Sequence, residues 1–151
     1  MSNLISKEEI HELMMNGRHC SQVVFGQWAE DLGLDKDTAI KIISAFGGGA
    51  CHGEICGAIS GGLAAIGTKY GTCKFNDPDQ DVIMKETSEE FIRRFKEKYG
   101  TVLCRDLLKE YDIDFARPGD RQKAKETGVP KQVCPEYVHG ALEILEEMMA
   151  K

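Results

Sequence analysis

The chain has 151 residues, 42% of them apolar and 29% charged, with a formal net charge of −6. That length suits one domain with one hydrophobic core, so residues 1–151 are expected to form a single cysteine-containing domain. The acidic balance and the scattered basic residues speak against a nucleic-acid binder, which would carry a basic footprint, and no run is apolar for long enough to span a bilayer.

The stretch MSNLISKEEIHEL holds acids and no apolar core, so it does not read as a signal peptide. A cytoplasmic location is the expectation. Thiols stay reduced there, so the six cysteines are candidates for metal ligands, redox thiols or small buried hydrophobes rather than structural disulfides.

Ser6-Lys7-Glu8-Glu9 fits a capping box and starts a helix that ends near Gly17, with Ile10, Leu13 and Met14 on one face. Ser21 to Leu32 follows at helical spacing and stops at Gly33. Asp35 or Asp37 caps a third helix through Ile40, Ile43 and Phe46, which the run Gly47-Gly48-Gly49 ends. Cys56 to Tyr70 is glycine-rich, yet Gly57, Gly61 and Ala65 recur every fourth position. A small-residue face of that kind admits a close helix neighbour, either within the chain or in a homodimer. Asp77-Pro78 opens a helix reaching Tyr99, since proline is favoured at the first helical position. Val102 to Tyr111 is a shorter one. Residues 112–133 read as a long connection with a helical turn near Lys123, lid-like in length. A last helix is expected to start at Cys134-Pro135 and to carry Val138, Leu142, Leu145 and Met149. Strand signals are nearly absent. The expected fold class is therefore all-α, a compact bundle of about six or seven helices.

On this reading Cys20, Cys56, Cys104 and Cys134 all stand at or near helix N-termini. Free N–H groups and partial positive charge there stabilise anions and lower thiol pKa values. No C-x2-C pair exists, so zinc-finger and thioredoxin motifs are excluded, and so is the compact ferredoxin run. Any metal site must gather ligands from distant segments, as a helical bundle does in its interior. Cys51 and His52, adjacent in GGGACHG, are further candidate ligands. His19 beside Cys20 and His139 in the last helix are candidate neighbours of a thiol, with a plain surface role as the alternative, favoured for His19. GGGACHG is not a phosphate loop, because no strand precedes it and no G-K-[ST] follows. No G-x-S-x-G elbow is present.

The order of Cys20 in HCSQVVF, then Cys56-Gly57-Ala58-Ile59-Ser60-Gly61, Cys104 in GTVLCRDLL and finally Cys134 resembles the C_GCAxxG_C_C family of redox-active proteins. The resemblance covers nearly the whole chain. It implies that Cys20, Cys56, Cys104 and Cys134 are the signature cysteines and that Cys51 and Cys73 are additions. His19 stands where relatives often have asparagine. A similar region occurs in split-Soret cytochrome, which brings an iron–sulfur cluster into view as cofactor. Two redox versions stay open. In one, the four thiolates hold such a cluster and Gly57 and Gly61 let the helix approach its sulfides. In the other they act as thiol–disulfide pairs, with Cys56 as attacker, and the redox partner is unknown. A zinc accessory module using Cys51, His52 and Cys56, or an interaction domain with buried cysteines, are the alternatives.

Overall fold

A computed structural model describes residues 3–150, and among these the chain is helical throughout. Helix α1 (Lys7–Met15) starts at Ser6, whose hydroxyl accepts the Glu9 N–H at 3.1 Å while the Glu9 carboxylate accepts the Ser6 N–H at 3.3 Å. Helix α2 (Cys20–Ala29) is buried around almost its whole girth, from Cys20 to Ala29, as expected for a helix with apolar residues on every side. Helix α3 (Lys36–Ile42) is capped by Asp35, which accepts the Thr38 N–H at 3.0 Å. The remaining helices are α4 (Gly57–Tyr70), α5 (Pro78–Tyr99), the single turn α6 (Cys104–Leu107), α7 (Asp120–Thr127) and α8 (Val129–Met149).

Helix α2 lies at the centre, closest to α4, with α1, α5 and α8 completing the main core around Ile10, Trp28, Ile59, Phe91 and Leu142. The α2–α4 contact is tight because α4 presents Gly61. A Cβ there would run into the Ser21 carbonyl and sit 3.1 Å from Val24 Cβ. The small-residue face of α4 is thus filled from within the chain and is not left over for a second copy. No helix among the described residues is long and apolar enough to cross a membrane.

Residues 112–133 hold more helix than the single turn expected near Lys123. They contain α7 and raise the helix count above six or seven. DRQKAKET carries one apolar residue, Ala124, so hydrophobic periodicity gives no sign of it. Polar contacts hold it instead. The buried Asp120 carboxylate accepts the Asp114 N–H and the Arg117 Nε–H, both at 2.8 Å. Those two donors keep its pKa below the ordinary carboxylate value. Beneath this segment Cys104, Leu108, Ile113 and Ala124 form a second, smaller hydrophobic cluster.

Helix α8 also starts earlier than expected. Gly128 takes the left-handed conformation (φ 69°) and separates α7 from α8. Pro130 occupies the first turn, where its missing N–H costs nothing. Cys134 therefore lies inside the helix and not at its cap, and Pro135 is an interior proline. Pro135 leaves the Lys131 carbonyl without its helical donor. His11 of α1 supplies one, with Nδ1 2.8 Å from that oxygen. Replacing His11 with alanine is expected to cost about 1 kcal/mol, the net worth of one hydrogen bond. Urea unfolding followed by the fluorescence of the single tryptophan, Trp28, measures it. An unchanged midpoint would mean that water serves the carbonyl as well.

Candidate functional site

Two loops bring the glycine-rich stretch and α6 together. The Cys56 N–H donates to the Val102 carbonyl and the Cys104 N–H to the Glu54 carbonyl, both at 2.7 Å, making a short antiparallel bridge at Ile55 and Leu103. The Arg105–Glu54 ion pair at 2.9 Å braces it from outside. Cys56 is thereby fixed as the N-cap of α4, and Cys104 as the first residue of α6.

Cys20, the first residue of α2, arrives from the other side. Its sulfur occupies the space that a side chain at Gly57 would need: a Cβ there would collide with Cys20 Sγ. The stretch before Cys56 is unusual. Gly48, Gly49, Ala50 and Cys51 all have positive φ, between 57° and 66°, which makes one left-handed turn. Such a turn costs roughly 1–2 kcal/mol for each non-glycine residue in it, and strained backbone of this kind clusters at functional sites. It points the Gly48 N–H at Cys20 Sγ.

The four signature sulfurs and Cys51 line one cavity of about 300 Å³. It sits on the seam between the two hydrophobic clusters. Cys20 and Cys56 belong to the larger cluster, Cys104 to the smaller, and Cys134 packs against both. Residues 112–133 cover part of it with Phe115, Arg121, Pro130 and Lys131. Of the expected ligands, Cys51 reaches the cavity wall. His52 is exposed and does not line it. Gly57 lines the cavity, whereas Gly61 packs on α2, so Gly61 is a helix-packing residue and not a cofactor contact. His19 lines the mouth; His139 does not line the cavity, and Cys73 is exposed elsewhere, on the α4–α5 connection.

The thiols are not equivalent. The Cys56 S–H donates to Cys20, and this hydrogen bond is the main reason the Cys20 pKa falls to about 6. Burial opposes it, and the N–H groups of Gly48, Ser21 and Cys20 assist. Donating to Cys20, then burial, push the Cys56 thiol well up. Burial, reinforced by the charges of Cys20 and Asp114, lifts Cys104 to about 12. Burial, reinforced by Cys20 and Cys104, lifts Cys134. Within the pair the shared hydrogen bond lowers Cys20 and raises Cys56. Three of the four sulfurs sit at helix starts, yet only Cys20 is lowered: Cys56 is raised chiefly by donating to Cys20 and Cys104 chiefly by burial.

Among the described residues, no three His, Cys, Asp or Glu side chains converge tightly enough to hold a single metal ion. A zinc ion on Cys51, His52 and Cys56 is not supported by this geometry, because such a centre needs all its ligands within about 2.3 Å of one point. A cluster spreads its ligands more widely, and four cysteines from four segments around one cavity match the donor set of iron–sulfur clusters.

The sequence profile described as "Putative redox-active protein (C_GCAxxG_C_C)" matches residues 18–148. The chain belongs to the C_GCAxxG_C_C family. No curated protein and no solved structure gives a significant match. The C_GCAxxG_C_C match spans all five cavity cysteines, and in this chain the signature reads Cys56-Gly57-Ala58-Ile59-Ser60-Gly61, with the cysteine ahead of the glycine. Sequence reasoning missed the cations at the cavity mouth, Arg18, Arg121 and Lys131. They come from three segments, and no local pattern marks them. It also missed the left-handed turn, for which the run Gly47-Gly48-Gly49 was the available signal.

Proposed function

We propose that this protein is a thiol–disulfide redox protein in which Cys20 is the nucleophile and Cys56 its proton donor and resolving thiol. The observation that carries the reading is the Cys56 S–H donated to a low-pKa Cys20 at the wall of a cavity large enough for a small substrate. The Cys20 thiolate attacks one sulfur of a substrate disulfide, forming a mixed disulfide and releasing the other half as a thiolate, which takes the Cys56 proton. The Cys56 thiolate then attacks Cys20 Sγ, forming a Cys20–Cys56 disulfide and releasing the second half, which takes a proton from water. The substrate gains two electrons and the protein pair loses two.

A second reading is favoured by the fact that Cys104 and Cys134 face the same cavity. There, Cys20, Cys56, Cys104 and Cys134 hold an iron–sulfur cluster, which supplies one-electron transfer. One preparation separates the two. Anaerobically purified protein is assayed for iron and visible absorption, then oxidised with a small disulfide and peptide-mapped. The thiol reading predicts no stoichiometric iron and a Cys20–Cys56 linkage. Stoichiometric iron with visible charge-transfer bands, or a linkage that leaves Cys20 out, overturns it.

A further inference from the structure

The chain carries 25 acidic and 19 basic residues, six of the latter being arginines. Arg93, Arg94, Arg105 and Arg117 are ion-paired. Arg18 and Arg121 have no carboxylate partner among the described residues, and both line the cysteine cavity. The two arginines without an ion pair thus face one cavity, from separate segments.

Lys131 joins them at the mouth, also without an ion pair among the described residues. Arg121 is the second residue of α7 and Lys131 the third of α8. Helix first turns favour acids, since their exposed N–H groups are already positive. Both cations thus stand where the local helix disfavours them. No carboxylate lines the cavity. Asp114, outside the lining, acts on Cys104, and its Oδ1 accepts the Ala116 N–H at 2.9 Å. The thiolate does not use up this charge either, because Cys56 and backbone N–H groups are the main influences that lower Cys20. Below the rim, Met14, Leu107, Leu108, Phe115 and Val138 give the cavity an apolar wall.

We infer that the substrate of this site is a small disulfide with an apolar body and an anionic group, such as a carboxylate, held by Arg18, Arg121 and Lys131 while its sulfur meets Cys20. This rests on the thiol-exchange reading and adds the substrate class to it. The chemistry is the exchange already given: the substrate disulfide is the oxidant, and Cys20 becomes the mixed disulfide as half the substrate leaves.

The test uses full-length protein with Cys51→Ser and Cys73→Ser, which removes the exposed thiols. Cys20 is labelled with two aromatic disulfides, dianionic dithiobis(nitrobenzoate) and neutral dithiodipyridine, and the second-order rates are expressed as a ratio. The ratio is expected to fall about tenfold in an Arg18→Gln/Arg121→Gln variant, and to fall in the parent as ionic strength rises, as electrostatic attraction requires. Labelling of Cys20 by both reagents with a ratio insensitive to charge and salt overturns the anionic-substrate inference alone. Failure of the neutral reagent to label Cys20 at all overturns the thiol-exchange reading and the substrate class with it.

Discussion

In protein lacking the exposed Cys51 and Cys73, a Cys20→Ser variant is expected to lose the fast-reacting thiol, with labelling at pH 7 falling about a hundredfold. With a pKa of about 6, Cys20 is about nine-tenths thiolate at that pH. Cys104, lifted to about 12, is ionised to roughly one part in a hundred thousand. A higher pKa makes each thiolate a better nucleophile, but with a Brønsted slope near 0.5 that recovers only about a thousandfold. Ionisation wins by the remaining factor of about a hundred. The pH profile carries the sign. Parent labelling rises as pH increases through about 6 and is flat above, because a depressed pKa leaves the thiolate fully formed from that point upward. Cys56→Ala removes the largest cause of the depression and moves the midpoint up toward the ordinary thiol value. Labelling that survives Cys20→Ser, or a midpoint that ignores Cys56, would refute the assignment.

The second large effect lies in the packing under the site. Gly61→Ala places a methyl against the Ser21 carbonyl, 3.1 Å from Val24 Cβ and 3.3 Å from the Phe25 nitrogen. Two of these three are backbone atoms of α2, so no rotamer change relieves the clash and the helices must part. Overpacking of this kind costs about 1–3 kcal/mol, a fall in melting temperature of a few degrees per kcal/mol for a chain of this size. Gly67→Ala, less than two turns along the same helix, meets nothing within 4 Å and is expected to stabilise by up to about 1 kcal/mol. The opposite signs make the pair a clean comparison by thermal denaturation. Because α2 begins with Cys20 and α4 is capped by Cys56, Gly61→Ala also raises the Cys20 labelling midpoint. Equal melting temperatures for the two variants would show that the α2–α4 contact is not tight.

Much of the helix framework is legible in the chain because local chemistry writes it. Ser6 and Glu9 close a capping box, Asp35 caps α3, Asp77-Pro78 opens α5, and Gly100 ends it in a left-handed conformation. Cys134-Pro135 reads locally as a helix start, but α8 begins five residues earlier, at Val129. Gly128 and Pro130 mark the true start of α8, and the Lys131 carbonyl that Pro135 orphans is answered by His11, far away in sequence. Nothing local announces that partner. The four signature cysteines were legible as a set, since their neighbours carry the resemblance. Which of them ionises was not. That depends on the direction of one S–H bond and on the aim of the Gly48 N–H, both properties of the assembled structure.

The bridge between residues 54–56 and 102–104, together with the seam on which the cavity lies, has a kinetic consequence. Cys20, Cys56, Cys104 and Cys134 come from segments spread along most of the chain, and contacts of such sequence separation carry a loop-closure entropy that local helices do not. No single helix or helical hairpin contains the site, and the Cys20 thiolate needs the start of α2 docked against Gly48 and Cys56. The ionised Cys20 is in this sense a reporter of folding, appearing with the docking of α2 on residues 48–56 and not with the isolated helices.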